Sequence, residues 1–231
     1  MGNDGSDELG DDSADESASS PWDRRGSAFR DAVRAGYDDL AETYADQRDP
    51  DSHELELLEE LSSRLPSTAR VLDAGCGDGR SATQPLVDGG FDVIGLDISR
   101  RQLVLATEQA SGGRFAQGDL TTLPIRTDTV DGVCAFHSII HVPREEHGDV
   151  FTEFARVLRP GGHVLVTSGI GEWEGTNPDW LDGGAEMGWS FYGSETTESL
   201  LWDAGFTVED RWTIGDELGD GTWQYTLAVL E

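Results

Sequence analysis

Lysine is absent from the 231-residue sequence: all 16 residues in the Lys plus Arg count are arginine, against 46 aspartate and glutamate residues. The formal net charge is -30 at pH 7. Such a surface repels itself in dilute buffer, and the repulsion fades as salt shortens the screening length to about 3 Å near 1 M. We therefore expect a protein adapted to a salt-saturated cytoplasm, as in haloarchaea. The lack of a basic face disfavours nucleic acid as a partner or substrate.

Cysteine is scarce, and long apolar runs are missing. Cys76 and Cys134 are too few for a disulfide framework and suit a reducing cytosol. No stretch approaches the length that spans a bilayer, and no basic flank precedes an apolar run near the first residue. We expect a soluble, cytoplasmic protein with no membrane partner.

Length and charge distribution predict one folded domain with an acidic extension. Residues 1–20 hold seven acidic and no basic residues, mostly among Ser, Gly and Ala. Residues 1–24 are therefore predicted to be a disordered tail, with an acidic tail that binds a partner as the alternative. Residues 25–231 are predicted to form a single domain.

A glycine-rich stretch organises that domain. The residues from Val71 to Ala74 read as a short apolar strand that carries an acid, Asp73. Three glycines follow at alternate positions: Gly75, Gly77 and Gly79. Alternate glycines permit positive φ and let a ligand approach the main chain. The Gly-x-Gly-x-x-Gly motif of dinucleotide folds fails here, because Arg80 stands where the third glycine belongs.

This stretch resembles the first motif of class I S-adenosylmethionine-dependent methyltransferases, hydrophobic-hydrophobic-Asp/Glu-x-Gly-x-Gly-x-Gly. The resemblance implies S-adenosylmethionine as the cofactor, with its methionine part over the glycine loop and Cys76. It also implies that Asp73 helps to hold the ammonium group of the cofactor. A glycine-rich turn with no ligand is the alternative.

The next two predicted strands also end near an acid. Asp97 lies 18 residues beyond Gly79, near the interval at which nucleotide-binding sheets place a carboxylate on ribose hydroxyls. The resemblance implies the same role, with Ile98 packing on adenine; a helix cap is the alternative, because Ser99 and a helix follow.

The third strand leads to Gly118-Asp119-Leu120, which together with Leu123-Pro124 resembles the xGDxxxLP stretch of the family. The resemblance implies that Asp119 accepts a hydrogen bond from the adenine amino group, with Leu120 beside it. A Gly-Asp turn with no ligand is the alternative.

The end of the fourth predicted strand is the candidate reaction centre. The run from Val130 to His137 resembles the FDxVxxxxxLxH segment of the family and places Phe136, a candidate cofactor contact, where open α/β sheets bind ligands. His137 is a candidate general base, with substrate orientation or plain hydrogen bonding as alternatives. His141 is a candidate substrate contact. A helix starting at His137 would put both histidines on one face, but no third ligand is recognisable and no metal is expected.

Residues 25–66 are predicted to be a helical lid. The run from Tyr37 to Tyr44 resembles the YDxLAxxY opening of many small-molecule methyltransferases. The resemblance implies that Tyr44 contacts the cofactor and Tyr37 the substrate. Aromatic packing of a helix onto the sheet is the alternative.

Residues 171–193 are predicted to be a long loop that covers the substrate, with Trp189 and Tyr192 as substrate contacts. The string from Met187 to Tyr192 resembles an MxWSHxD segment of small bacterial methyltransferases. Phe191 replaces its histidine.

The resemblance implies a Rossmann-like α/β fold: a seven-stranded mixed sheet of order 3-2-1-4-5-7-6, with helices on both faces and a terminal antiparallel hairpin. The expected function is methyl transfer from S-adenosylmethionine to a small-molecule acceptor, by a monomer or homodimer. The alternatives are an S-adenosylmethionine-binding protein without catalysis and an NAD(P)-dependent oxidoreductase. Methylation of nucleic acid bases is disfavoured, because residues 135–138 lack the Asn/Asp-Pro-Pro-aromatic motif.

Overall fold

A seven-stranded sheet forms the centre of the computed structural model, which describes residues 26–48, 52–219 and 221–231. The segment predicted as a disordered acidic tail, residues 1–24, lies outside the described residues. The strands, in chain order, are β1 Arg70–Ala74, β2 Asp92–Asp97, β3 Arg114–Gln117, β4 Val130–Ala135, β5 Leu158–Gly169, β6 Trp173–Asn177, β7 Met187–Phe191, β8 Phe206–Gly215 and β9 Thr222–Leu230.

The sheet has the order β3-β2-β1-β4-β5-β9-β8, while β6 and β7 form a separate two-stranded sheet. The strand β9 is antiparallel to both β5 and β8, and the other neighbours in the large sheet are parallel. Numbered within this sheet alone, the order is 3-2-1-4-5-7-6, so the predicted order and terminal hairpin are confirmed. The order reverses between β1 and β4, which places the topological switch point at their carboxyl ends.

Helices cover both faces of the sheet. They are α1 Ser27–Gln47, α2 Glu54–Arg64, α3 Thr83–Asp88, α4 Arg100–Gln109, α5 His147–Val157 and α6 Ser194–Asp203. The side chains of successive β1 residues pack into buried clusters on opposite faces of the sheet, because side chains alternate across a strand. Val71 belongs to a buried cluster with Leu61 of α2, whereas Leu72 belongs to one with Phe151 of α5.

The first helix, α1, packs over the carboxyl ends of the strands rather than into the main core. Its Phe29, Val33 and Leu40 form a buried cluster with Met187 of β7. In contrast, α2 packs in the core beneath the sheet. None of the helices in the part of the chain that the structure describes combines the length and apolar character needed to cross a membrane.

The prediction of a structureless loop over residues 171–193 is wrong, because β6 and β7 pair there as an antiparallel hairpin. Trp173 lies opposite Phe191, with ring centroids 6.1 Å apart, and also contacts Trp189 at 6.2 Å. Such cross-strand aromatic pairs stabilise a hairpin. The many Gly, Asn and Asp residues hid the strand pattern.

Candidate active site

Most of the predicted site residues meet in one cleft at the switch point, beneath α1. We call it the glycine-loop cleft. Its walls include eleven of these residues: Tyr37, Tyr44, Gly75, Gly77, Asp97, Ile98, Asp119, Leu120, Phe136, His137 and His141. Asp73 and Cys76 line a small adjoining pocket that shares Gly75 and Gly77 with this cleft.

The three glycines of the loop serve different purposes. A Cβ at Gly75 would overlap the Ser138 side chain, and one at Gly79 would lie 2.8 Å from Cβ of Ala110. These two glycines therefore permit close packing. A Cβ at Gly77 would meet nothing closer than 3.9 Å, and the residue has φ +54. Gly77 is therefore the glycine of the loop whose backbone faces open space in the cleft.

Asp73 is buried at the end of β1 and accepts a hydrogen bond from Thr83 Oγ1 at 2.6 Å. Burial, reinforced by the nearby charge of Asp97, raises the pKa of its carboxyl group to about 7. A cation bound beside Asp73 would favour the ionised form.

Asp97 joins β2 to the glycine loop. Its Oδ2 accepts from the Gly77 amide at 2.9 Å, and its Oδ1 accepts from the Ser99 amide at 2.8 Å. The side chain that caps α4 is that of Ser99, which accepts from the Gln102 amide. Burial raises the pKa of Asp97 to about 6, although these amide hydrogen bonds act in the opposite direction.

Gln102 of α4 also lines the glycine-loop cleft, and we did not predict it from the sequence. The residue is 1% exposed, and neither its Oε1 nor its Nε2 has a hydrogen-bond partner among the described residues. Buried amide groups are rarely left unpaired, so this side chain is available to a ligand. A polar residue on the buried face of α4 was the signal that could have found it.

Asp119 lies at the outer end of the cleft and is tied to α1. Its Oδ2 accepts from Arg30 Nε at 2.6 Å, and its Oδ1 accepts from the amide and hydroxyl of Thr121. Arg30 also forms an ion pair with Glu146. The sequence did not single out Arg30, which connects the lid helix to the cleft.

A second space, which we call the aromatic cavity, has a volume of about 590 Å³ and shares Tyr37, Tyr44, His137 and His141 with the glycine-loop cleft. The aromatic side chains that line this cavity but not the glycine-loop cleft are Trp173, Trp180, Trp189, Phe191 and Trp223. The predicted substrate contact Trp189 is therefore part of this cavity. Tyr192 lines neither space, because its ring packs against His147 and lies 5.7 Å from the Arg144 guanidinium.

His141 is held in one orientation by bonds to both ring nitrogens. Its Nδ1 donates to Gly188 O at 2.8 Å, which leaves Nε2 to accept from the Tyr37 hydroxyl at 2.9 Å. Burial lowers the pKa of His141 to about 4, so the ring is neutral at physiological pH.

His137 lies where the two spaces meet. It has φ +49 and precedes a 3-10 turn at Ile139–His141, so the two histidines do not share a helix face. Its Nε2 lies 2.9 Å from Glu54 Oε1 and 2.9 Å from Tyr225 Oη. Glu54 was missed in the sequence, because it precedes the leucine pattern of α2 by one residue.

Comparison with known proteins places this geometry in a family. Residues 71–162 match the family model described as a methyltransferase domain. The curated methyltransferase GfsG of Streptomyces halstedii is 37% identical over 118 residues, which cover 48% of this chain and 42% of that protein. Residues 71–162 therefore belong to this methyltransferase-domain family, and solved structures with a similar fold include S-adenosylmethionine-dependent methyltransferases. The chain spans about half the length of the first curated relatives that it matches.

Solved structures share the methyltransferase fold. The PH0226 protein of Pyrococcus horikoshii OT3 is 26% identical with a TM-score of 0.62, over 79% of this chain and 94% of that one. The 4+2 cyclase SpnF is 19% identical with a TM-score of 0.67, over 86% and 96% of the two chains. At that identity the likeness to SpnF concerns the fold alone.

The site fits the cofactor of the methyltransferase family, S-adenosylmethionine. The open backbone at Gly77 leaves room that a Cβ would enter, and the unpaired amide of Gln102 supplies a donor and an acceptor in the same cleft. Two buried carboxyl groups with raised pKa values complete a site suited to hydroxyl and ammonium groups.

Proposed function

We propose that this protein transfers a methyl group from S-adenosylmethionine to a small-molecule acceptor held in the aromatic cavity. The observation that carries the proposal is the meeting of two spaces at His137. One is a cleft built on bare glycine backbone and carboxylates, and the other is lined by aromatic rings.

The positions of the side chains support the following roles in cofactor binding. Asp73 and the backbone of the glycine loop hold the amino acid part. Asp97 and Gln102 hold the ribose hydroxyls, because both lie next to Gly77. The adenine ring packs between Ile98 and Leu120 and bonds to Asp119. Phe136 and Tyr44 close the cleft on the side of the aromatic cavity.

S-adenosylmethionine supplies an already activated methyl group on a sulfonium. The work of the protein is therefore to hold a nucleophile in line with that group and to exclude water. Tyr37 and Tyr44 of α1 serve both purposes, since they line both spaces and pack edge to face with their centroids 5.4 Å apart. His137 is the candidate catalytic residue, and His141 positions Tyr37.

Calorimetry in molar potassium chloride tests the proposal. S-adenosylhomocysteine should bind and NAD should not. A screen of metabolite extracts with methyl-labelled cofactor should then reveal a labelled small molecule. If NAD binds and S-adenosylhomocysteine does not, the proposal fails.

A second candidate is a protein that binds S-adenosylmethionine without transferring its methyl group. This candidate is compatible with the fold, which a structure described as a 4+2 cyclase shares. Saturable binding of S-adenosylhomocysteine with no label transferred to any acceptor would favour this candidate.

Composition and burial support a reducing, salt-rich cytoplasm as the environment of the protein. Cys76 and Cys134 are both buried free thiols, which suits a reducing cytoplasm. The net charge of -30 suits high salt. We expect a monomer or homodimer, which light scattering in molar potassium chloride will distinguish.

A further inference from the structure

We propose that His137 and Glu54 form a general-base pair, and that the acceptor is therefore a hydroxyl group on a flat aromatic or conjugated molecule. The inference rests on the proposed function and names the acceptor class of that same site. His137 is the catalytic residue of the pair, and Glu54 is a positioning residue that acts through it.

The geometry gives His137 one free ring nitrogen. Because a carboxylate only accepts hydrogen bonds, the Nε2 proton is donated toward Glu54 Oε1 at 2.9 Å. Nδ1 has no hydrogen-bond partner among the described residues and is left with its lone pair. His141 and His147 differ, because His141 uses both ring nitrogens, and His147, which is buried outside the aromatic cavity, bonds through Nε2 to Val142 O.

The backbone conformation at His137 supports a functional role. Its φ of +49 lies in the left-handed region, which is unfavourable for a non-glycine residue and is concentrated at functional sites. This turn places the ring against Trp223 and Tyr225 of β9, at centroid distances of 5.3 and 5.9 Å.

Glu54 is buried, and both of its carboxylate oxygens accept hydrogen bonds. Its Oε1 also accepts from the Tyr225 hydroxyl at 3.1 Å, and its Oε2 accepts from Arg48 at 2.6 Å. Burial alone would raise the pKa of Glu54, but its bonds to His137, Arg48 and Tyr225 lower the pKa overall. The group is therefore an anion, ready to stabilise a proton on His137.

Charged groups also lie on the far side of Glu54 from His137. Arg48 lies between two carboxylates, with Glu54 on one side and Glu217 3.6 Å away on the other. One cation and two anions sum to a single negative charge, which imidazolium would neutralise. The Tyr225 hydroxyl and neutral His141 also lie near the ring, and Tyr37, Tyr44 and Asp216 line the same cavity.

A general base in this position selects among acceptors. A neutral amine already carries a lone pair, and a thiol ionises readily, so neither depends on a base before attack. A hydroxyl does, because its oxygen becomes a good nucleophile only as its proton leaves. In the reaction, an acceptor O–C bond forms and the C–S bond breaks. The C–S electron pair stays on sulfur, and the hydroxyl proton passes to Nδ1 and then to solvent.

The shape of the aromatic cavity favours a flat acceptor. Trp180 and Trp189 meet edge to face at 5.2 Å and 89°, and Trp180 meets Tyr37 at 5.9 Å and 89°. Rings at right angles form a corner. A planar molecule can stack on the face of one ring there and direct its own edge at the face of the other.

A chromophoric phenol tests the pair without turnover. The protein is saturated with S-adenosylhomocysteine in molar potassium chloride, and 4-nitrophenol is titrated in while its yellow ionised form is followed against pH. Bound 4-nitrophenol should ionise at a pH lower than the free probe by about one to two units, because imidazolium forms beside it.

Three variants make the test specific. In Glu54→Gln the displacement of the ionisation midpoint should shrink, because imidazolium loses its anionic partner. In His137→Asn it should vanish, and asparagine tolerates the left-handed backbone at this position. Glu60→Gln changes an exposed carboxylate on the same helix and should behave as wild type.

The outcomes separate the two proposals. If S-adenosylhomocysteine itself does not bind, the proposed function fails. If it binds but 4-nitrophenol does not, or binds and ionises as it does in solution, the base pair and acceptor class are wrong while the cofactor site stands. If the ionisation midpoint of bound 4-nitrophenol is displaced in His137→Asn as much as in wild type, the inference is also wrong. If Glu54→Gln does not fold, the result with His137→Asn decides the test.

Discussion

At the scale of single residues, the buried carboxyl group of Asp73 couples cofactor binding to the release of protons. Its raised pKa of about 7 means that burial penalises the anion in the free protein. An ammonium group bound beside it would favour the anion and lower that pKa. Binding near neutral pH should therefore release protons.

This release is measurable by calorimetry of S-adenosylhomocysteine binding at pH 7 in two buffers that differ in ionisation enthalpy. We expect the apparent enthalpy to differ between the buffers, because Asp73 is about half protonated at pH 7 and so releases up to about half a proton per site. Above pH 8 the difference should shrink, because Asp73 is already ionised. In Asp73→Asn the release at pH 7 should be largely lost, and an unchanged release would show that Asp73 is not the coupled group.

Gly77 and Gly79 provide a matched pair of substitutions, because both have positive φ and only Gly77 faces open space. Either alanine costs about 1–2 kcal/mol of backbone strain. Gly79→Ala should lose further stability, since its Cβ would press on Ala110, and should bind S-adenosylhomocysteine nearly as wild type does. Gly77→Ala should be the more stable variant but the weaker binder. Thermal unfolding measures stability, and calorimetry measures the affinity for S-adenosylhomocysteine. Tighter binding by Gly77→Ala than by Gly79→Ala would contradict the roles assigned to the two glycines.

At the scale of elements, we expect α1 to move when the cofactor enters. The glycine-loop cleft has a volume of about 70 Å³, far below the roughly 300–1,000 Å³ of small-ligand sites. The polar contacts that hold α1 over the cleft include Arg30 to Asp119, Tyr37 to His141, and Asp38 to Ser99. Because α1 packs on α4 and β7 whereas β5 is hydrogen-bonded to a strand on each side, we expect α1 to open more readily than the strands of the core.

Hydrogen exchange should report this motion. Without a ligand, amides of α1 should exchange faster than those of β4 and β5, and S-adenosylhomocysteine should slow exchange most strongly in α1. Arg30→Gln should speed the exchange of α1 in the free protein. Equal protection of α1 and β5 without ligand would show that α1 is not a lid.

The sequence predicted the elements better than it predicted the contacts between them. The order of the large sheet was implied by the family resemblance, which rests on local motifs at the strand ends and turns. The hairpin at β6 and β7 escaped, since its stability comes from cross-strand aromatic contacts between residues far apart in the sequence. Glu54 and Gln102 escaped for the same reason: their surroundings are set by packing, and neither belongs to a motif.

At the scale of the whole molecule, the charge of -30 dominates the response to solvent. Self-repulsion destabilises the folded state in dilute buffer, and salt screens it. The unfolding temperature should therefore rise steadily as potassium chloride increases from about 0.1 M to molar concentrations, where the screening length is about 3 Å. A maximum at the lowest salt concentration would contradict this expectation.

The most direct test of the account is a crystal structure of the S-adenosylhomocysteine complex grown in molar potassium chloride. We predict the amino group beside Asp73, the ribose on Asp97 and Gln102, and the sulfur directed toward His137 and the aromatic cavity. A ligand bound outside the glycine-loop cleft, or a cleft closed by Tyr44 in the presence of excess ligand, would contradict it.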